Sequence, residues 1–185
     1  KYRLAAAYQE AGQNAKAEAA LREILARDST ESDAWMRLLA LYDDEKRPEE
    51  VEGILAEAKS ALPSDANLDV IEGMILHRRE DYTKAEEAYQ RALEKDPKNT
   101  TALFNLGVLL DKNGDFDAAI AQMRKTLETD PDYAEAYNYI GYSFAEKGIK
   151  LEEAKKLLEK ALTLEPENPY YLDSYAWALY RKGEY

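Results

Sequence analysis

The prolines and glycines of this chain fall on a fixed interval, and that interval constrains the fold more than any other feature. Pro63, Pro97 and Pro131 are 34 residues apart, Pro166 follows after 35, and Ser29 holds the slot 34 before Pro63. Gly73, Gly107 and Gly141 form a second series at 34 and 34, and Gly12, Gly114, Gly148 and Gly183 are separated by 102, 34 and 35, where 102 is three times 34. Proline cannot continue a helix and glycine tolerates the dihedrals of a turn, so each series marks one kind of helix boundary repeated along the chain. A constant period of this length signals stacked supersecondary units, each burying its apolar face against the next.

Between the marks the apolar residues recur at helical spacing, as in Leu103, Leu106, Gly107 and Leu110, then Ala119, Met123, Thr126 and Leu127. Each unit therefore reads as two helices. Asp65, Asp81, Asn99 and Asp115 stand where helix N-caps belong, and Pro48 suits a first helical turn, where its missing N–H costs nothing. Small residues at Ala17, Ala85, Gly107, Ala119, Gly141 and Ala154 let paired helices approach, while Trp35, Leu38, Tyr42 and their counterparts fill the space between.

These residues resemble the tetratricopeptide repeat, with its 34-residue period and its Trp, Leu-Gly, Tyr, Ala, Phe, Pro skeleton. The fullest copy, 100–133, carries Leu103, Leu106-Gly107, Leu110, Gly114, Phe116, Ala119, Met123 and Pro131. Copy 32–65 carries Trp35, Leu38, Tyr42, Val51, Leu55, Ala58 and Pro63; copy 134–168 carries Tyr137, Ile140-Gly141, Phe144, Gly148, Ala154, Leu158, Ala161 and Pro166. Copy 66–99 departs most: Asp69 and Glu72 replace expected apolar residues, Glu80 replaces the turn glycine, and its first helix is expected to sit differently. The resemblance implies an all-α, right-handed α-solenoid of about five and a half helix-turn-helix repeats, one array over 1–185 with partial repeats at 1–31 and 169–185. The ends read as cut from a longer array, which would expose Leu172, Tyr175, Ala176 and Leu179 and favour end-to-end self-association with the surface of Leu4, Ala5 and Tyr8. The stretches 148–154 and 169–177 are similar to bacterial repeat proteins that are often exported or outer-membrane lipoproteins.

Composition narrows the function. Lys+Arg 25 against Asp+Glu 37 gives a net charge of −12, which repels phosphate backbones and anionic lipid heads, so neither nucleic acid nor a membrane is an expected partner. With no Cys and a single His there is no thiolate nucleophile and no multi-His metal centre. The absence of Cys suits oxidising and reducing compartments equally and leaves localisation open. Asp111, Asn113, Asp115 and Asp117 mimic the opening of a calcium loop, but Phe116 replaces its sharp-turn glycine and Gln122 its closing bidentate Glu. His77 lies at a helix end beside Arg78 and Arg79, which disfavour its protonation, and reads as an exposed helix-end histidine. No glycine-rich phosphate loop exists. No catalytic, cofactor or metal residue is therefore expected, and the chain reads as no enzyme. The acidic run Asp43, Asp44, Glu45, Glu49, Glu50 and Glu52 reads as a solvated turn, with docking of a basic partner as the alternative.

In the family that the residues resemble, the first helices of successive units line an inner groove. Counted by offset from the packing positions, that face carries Met36, Arg37 and Ala40, then Val70, Ile71 and Met74. It continues with Phe104, Asn105 and Val108, then Asn138, Tyr139 and Tyr142, then Asp173, Ser174 and Trp177. Aromatic residues and amides concentrate toward the C-terminus. Aromatic faces supply large anchor area and Asn can bond both the N–H and the C=O of an extended peptide, so Phe104, Asn105, Val108, Asn138, Tyr139, Tyr142, Ser174 and Trp177 are the candidate partner-binding residues. The family's clamp for a C-terminal carboxylate is not expected, because Val70, Met74, Glu135 and Tyr139 flank Asn105 where cations would be needed. The expected function is an adaptor or scaffold that holds a peptide or protein partner; the alternative is a structural spacer or self-assembling array.

Overall fold

A computed structural model describes residues 2–45 and 47–184, and among these it contains eleven α-helices and no strand. The chain divides into two compact units, Lys1–Pro97 and Lys98–Tyr185. The first holds α1 (Tyr2–Glu10), α2 (Asn14–Leu25), α3 (Ser32–Asp44), α4 (Pro48–Ala61), α5 (Ala66–Arg78) and α6 (Tyr82–Lys95). The second holds α7 (Thr100–Lys112), α8 (Phe116–Thr129), α9 (Ala134–Lys147), α10 (Leu151–Leu164) and α11 (Pro169–Lys182). Within the units the helices pack as antiparallel neighbours in pairs, α1 with α2 through to α9 with α10, and α11 adds to the last pair.

The periodic prolines stop α4, α6, α8 and α10. α4, α6, α8 and α10 each end two residues before Pro63, Pro97, Pro131 or Pro166. The intervening Leu62, Asp96, Asp130 and Glu165 leave the helical region, with φ between −131° and −136°, as a residue preceding proline must. Starts are equally local. The carboxylates of Asp65, Asp81 and Asp115 and the amide oxygen of Asn99 accept from Asn67, Lys84, Ala118 and Ala102 main-chain N–H groups, satisfying donors that the first helical turn leaves free. Asn168 does the same for α11, whose first residue is Pro169.

At the ends of the odd-numbered helices, Gly114 at φ 87° lets its own N–H reach the Asp111 carbonyl and the Asp115 N–H reach Leu110. Glu80 makes the same turn 34 residues earlier at φ 62°, with its N–H on the His77 carbonyl and the Asp81 N–H on Leu76. The turn survives loss of its glycine because flanking hydrogen bonds fix a conformation that a side chain resists.

In the first unit Leu21, Leu38, Leu39, Tyr42, Ile54, Leu68 and Ile75 are buried together with Ala17 and Ala58, each large side chain contributing roughly 1.5–3 kcal/mol of transfer free energy. In the second, Met123, Ile140, Phe144 and Leu158 form the corresponding centre. The unusual copy keeps its helix pair, with Gly73 against the Tyr89 ring. Its difference lies where α5 meets both α4 and α6. Asp69, in the slot that holds Trp35 and Leu103 elsewhere, is 1% exposed and takes Lys59 of α4 at 2.7 Å and Lys95 of α6 at 2.6 Å. Glu72 binds Lys59 at 2.6 Å and also pairs with Arg91. Charge fills a seam that other copies close with apolar side chains.

Candidate functional site

The candidate residues lie on α7, α9 and α11, all in the second unit. They sort into two groups and a set engaged internally. The first group joins α7 to α9: the Phe104 ring lies 5.3 Å from Tyr133 and 6.3 Å, edge-on, from Tyr139. Tyr139 is tied down, because its hydroxyl donates to Asp111 at 2.6 Å. Burial, and then that hydrogen bond, push its phenol well above the usual tyrosine range, so it stays a donor at every physiological pH. Val108 is half-buried against the same cluster.

The second group is partly open to solvent, with Trp177 half-buried against the core of the unit. Tyr142 of α9, 42% exposed, shares an open cleft of about 590 Å³ with Trp177, Ala176 and Tyr180 of α11 and with the carboxylates of Glu146 and Asp173. Trp177 and Tyr180 stack with centroids 5.5 Å apart and planes 22° apart, and the Arg181 guanidinium lies 5.5 Å from the Trp177 ring centroid. Burial, followed by the charge of Glu146 and its hydrogen bond, and then by Asp173, raises the Tyr142 phenol above its ordinary value. This helix-to-helix cleft brings together residues 35 apart in sequence, Tyr142 and Trp177.

The amides and the hydroxyl are less available than sequence suggests. Asn105 donates its side-chain N–H to the Thr101 carbonyl at 2.8 Å, one turn back on its own helix. The Asn138 side-chain oxygen is enclosed without a hydrogen-bond partner, as is the Trp177 indole N–H. Ser174 is buried and donates its hydroxyl to the Tyr170 carbonyl at 2.9 Å. What the sequence reading missed is Tyr180 and Glu146, one turn beyond the counted positions; the i+3 and i+4 spacing from Trp177 and Tyr142 was the signal that would have found them.

The other candidates resolve locally. His77 is half-buried with its ring edge-on to Tyr82 at 5.6 Å, which corrects the expectation of an exposed histidine: Tyr82 opens the next helix and folds back over it. In the calcium-like segment Asp111 serves Tyr139 and Asp115 caps α8. Among the described residues no group of three or more His, Asp or Glu could hold a metal ion, and no helix is long and apolar enough to cross a membrane. The acidic run is largely engaged within the chain. Asp43 pairs with Arg78 and lies 3.6 Å from Arg79, while Glu45 and Glu50 each hold Arg47 at 3.0 Å.

Models of the tetratricopeptide repeat match residues 72–132, 109–169 and 1–30. The chain belongs to the tetratricopeptide repeat family. Among relatives, the TPR repeat-containing protein PA4667 of Pseudomonas aeruginosa is 32% identical over 139 residues, 75% of this chain and 24% of its own length. The chain spans about a quarter or less of the first curated relatives that it matches. Among solved structures, yeast Tom70 aligns over 99% of this chain and 39% of its own with a TM-score of 0.89 at 20% identity, a likeness of fold. YrrB, a TPR protein with an unusual peptide-binding site, aligns over 92% of this chain and 87% of its own with a TM-score of 0.62 at 26% identity. Tetratricopeptide repeats serve generally as interaction modules, and family membership places this chain among them.

Proposed function

We propose that this chain is a non-catalytic adaptor that holds a peptide segment of a partner protein against α7, α9 and α11. The observation that carries the reading is the open cleft where the exposed rings of Tyr142 and Tyr180 flank Trp177, itself half-buried against the core. The likeness to YrrB supports it, as does the second aromatic group at Phe104 and Tyr139 further along the same helix faces. Asn105 contributes its side-chain oxygen, left available by the bond of its N–H to Thr101, as an acceptor for a peptide N–H. The proposed array runs in the repeats counted from the proline series, with the binding segment in the C-terminal three first helices.

The test is selection of peptides from a phage-displayed random library on the intact chain, followed by titration of the selected peptides. Trp177→Ala and Tyr142→Ala are expected each to weaken binding by about 2 kcal/mol with helicity unchanged by circular dichroism, as for central aromatic anchors. Equal affinity in both variants would move the site away from this cleft. A second reading, self-association, is favoured by Leu172 at 50% and Leu4 at 49% exposure on α11 and α1. Sedimentation at rising concentration separates it from the first, since a strict monomer excludes it.

A further inference from the structure

The cleft between α9 and α11 carries more chemistry than aromatic surface. Resting on the peptide-binding reading above, we infer that it is a subsite for a basic side chain, lysine or arginine, of the bound segment.

Glu146 and Asp173 both line the cleft, and among the described residues neither forms an ion pair. The cations nearby are engaged elsewhere. Lys182 lies on Glu152 and Glu184 at 2.8 and 2.5 Å, and Lys155 on Glu184 at 2.7 Å. Arg181 donates to the main-chain carbonyl of Glu146 at 2.7 Å, so neither carboxylate is matched by a cation, and Glu146 holds the Tyr142 hydroxyl. The Arg181 guanidinium rests 5.5 Å from the Trp177 ring centroid, one turn along the same helix, a distance at which a cation and an indole face attract. Tyr142 and Tyr180 add further π-faces to the same cleft. A cation entering it gains two carboxylates and an aromatic wall at once, and a planar guanidinium gains most, because it can stack and donate in the same pose.

The arrangement also excludes other occupants. An apolar side chain would desolvate Glu146 and Asp173 without pairing them, and an acidic one would add like charge to two carboxylates in a chain of net charge −12. The aromatic floor alone would accept either. The carboxylates therefore set the specificity and the rings set the affinity.

The experiment uses peptides selected on the intact chain whose binding depends on Trp177. The inference expects an invariant Lys or Arg among them. It further expects that Glu146→Gln combined with Asp173→Asn lowers affinity for such a peptide about tenfold, one decade being 1.4 kcal/mol, while leaving unchanged the affinity of the same peptide with its basic residue replaced by glutamine. Raising the salt concentration should weaken the first interaction and leave the second. If Trp177-dependent peptides emerge without a conserved basic residue, or bind the double variant as tightly as the unmodified chain, the basic subsite is overturned while the groove reading stands. If no selected peptide depends on Trp177, the groove reading itself fails and takes the subsite with it.

Discussion

Replacing Lys59 and Lys95 together by Met should destabilise the chain by about 3–5 kcal/mol, whereas replacing Asp69 by Leu should cost little. The asymmetry comes from burial. Asp69 is 1% exposed, and its two closest cations, at 2.7 and 2.6 Å, are 27% and 28% exposed. When the lysines go, the carboxylate cannot reach water and retains only Arg91 at 3.4 Å. When the carboxylate goes, Lys59 keeps Glu72 at 2.6 Å and Lys95 extends into solvent, and Leu restores the residue type that is fully buried as Leu103 in the next copy. Chemical denaturation followed by circular dichroism decides it, with the loss read at the first transition, since repeat arrays need not unfold in one step. Equal losses in the two variants would mean that the cluster acts as ordinary surface charge.

The same substitution should invert the pH dependence of stability. Burial pushes the Asp69 carboxyl up, but the hydrogen bonds and charges of Lys59 and Lys95 more than offset it, and its pKa stands below the ordinary aspartate value. A carboxyl that binds its proton more weakly folded than unfolded stabilises the fold above the unfolded pKa, and that contribution is lost as pH falls through the folded one. Without the lysines burial dominates and the pKa rises above the unfolded value. The double variant should then be relatively more stable in mild acid and lose stability as pH rises toward neutrality, the opposite trend from the parent chain in that range.

This cluster marks the point where the sequence stops being self-explanatory. Period and residue type are enough to locate helix ends, because proline, glycine and the Asp and Asn caps act through their own dihedrals and nearest N–H groups. Pro63, Pro97, Pro131 and Pro166 accordingly all follow a helix end by two residues. The vacancy left by Asp69 and Glu72 is equally visible as a break in apolar spacing. Its remedy is not, since Lys59, Arg91 and Lys95 come from two other helices and look like ordinary surface cations. The candidate groove divides the same way. Offset counting puts Tyr142 and Trp177 on one face, and they line one cleft, yet the tether of Tyr139 to Asp111 and the enclosure of the Asn138 oxygen depend on rotamers that spacing does not encode.

Four helical glycines respond to a single added methyl according to what it meets. Gly141→Ala would press a Cβ to 2.6 Å from Leu158 Cγ and 3.0 Å from the Ala154 carbonyl oxygen, and Gly73→Ala would strike the buried Tyr89 ring. Neither obstacle is a free chain end. Overpacking costs about 1–3 kcal/mol, while replacing a mid-helix glycine returns up to about 1 kcal/mol of propensity, so a net loss of about 1–2 kcal/mol is expected at both. At Gly107 the new Cβ would meet the Met123 methyl at 2.8 Å, the far end of an unbranched side chain that can swing aside, and the two effects should nearly cancel. At Gly53, in the middle of α4 with nothing within 4 Å, the propensity gain stands alone, and Ala should stabilise by about 0.4–1 kcal/mol. The ordering Gly53 above Gly107 above Gly141 and Gly73, measured by urea midpoints, tests the helix-pair packing directly. Stabilisation at Gly141 or Gly73 would mean that the paired helices stand further apart than this fold has them.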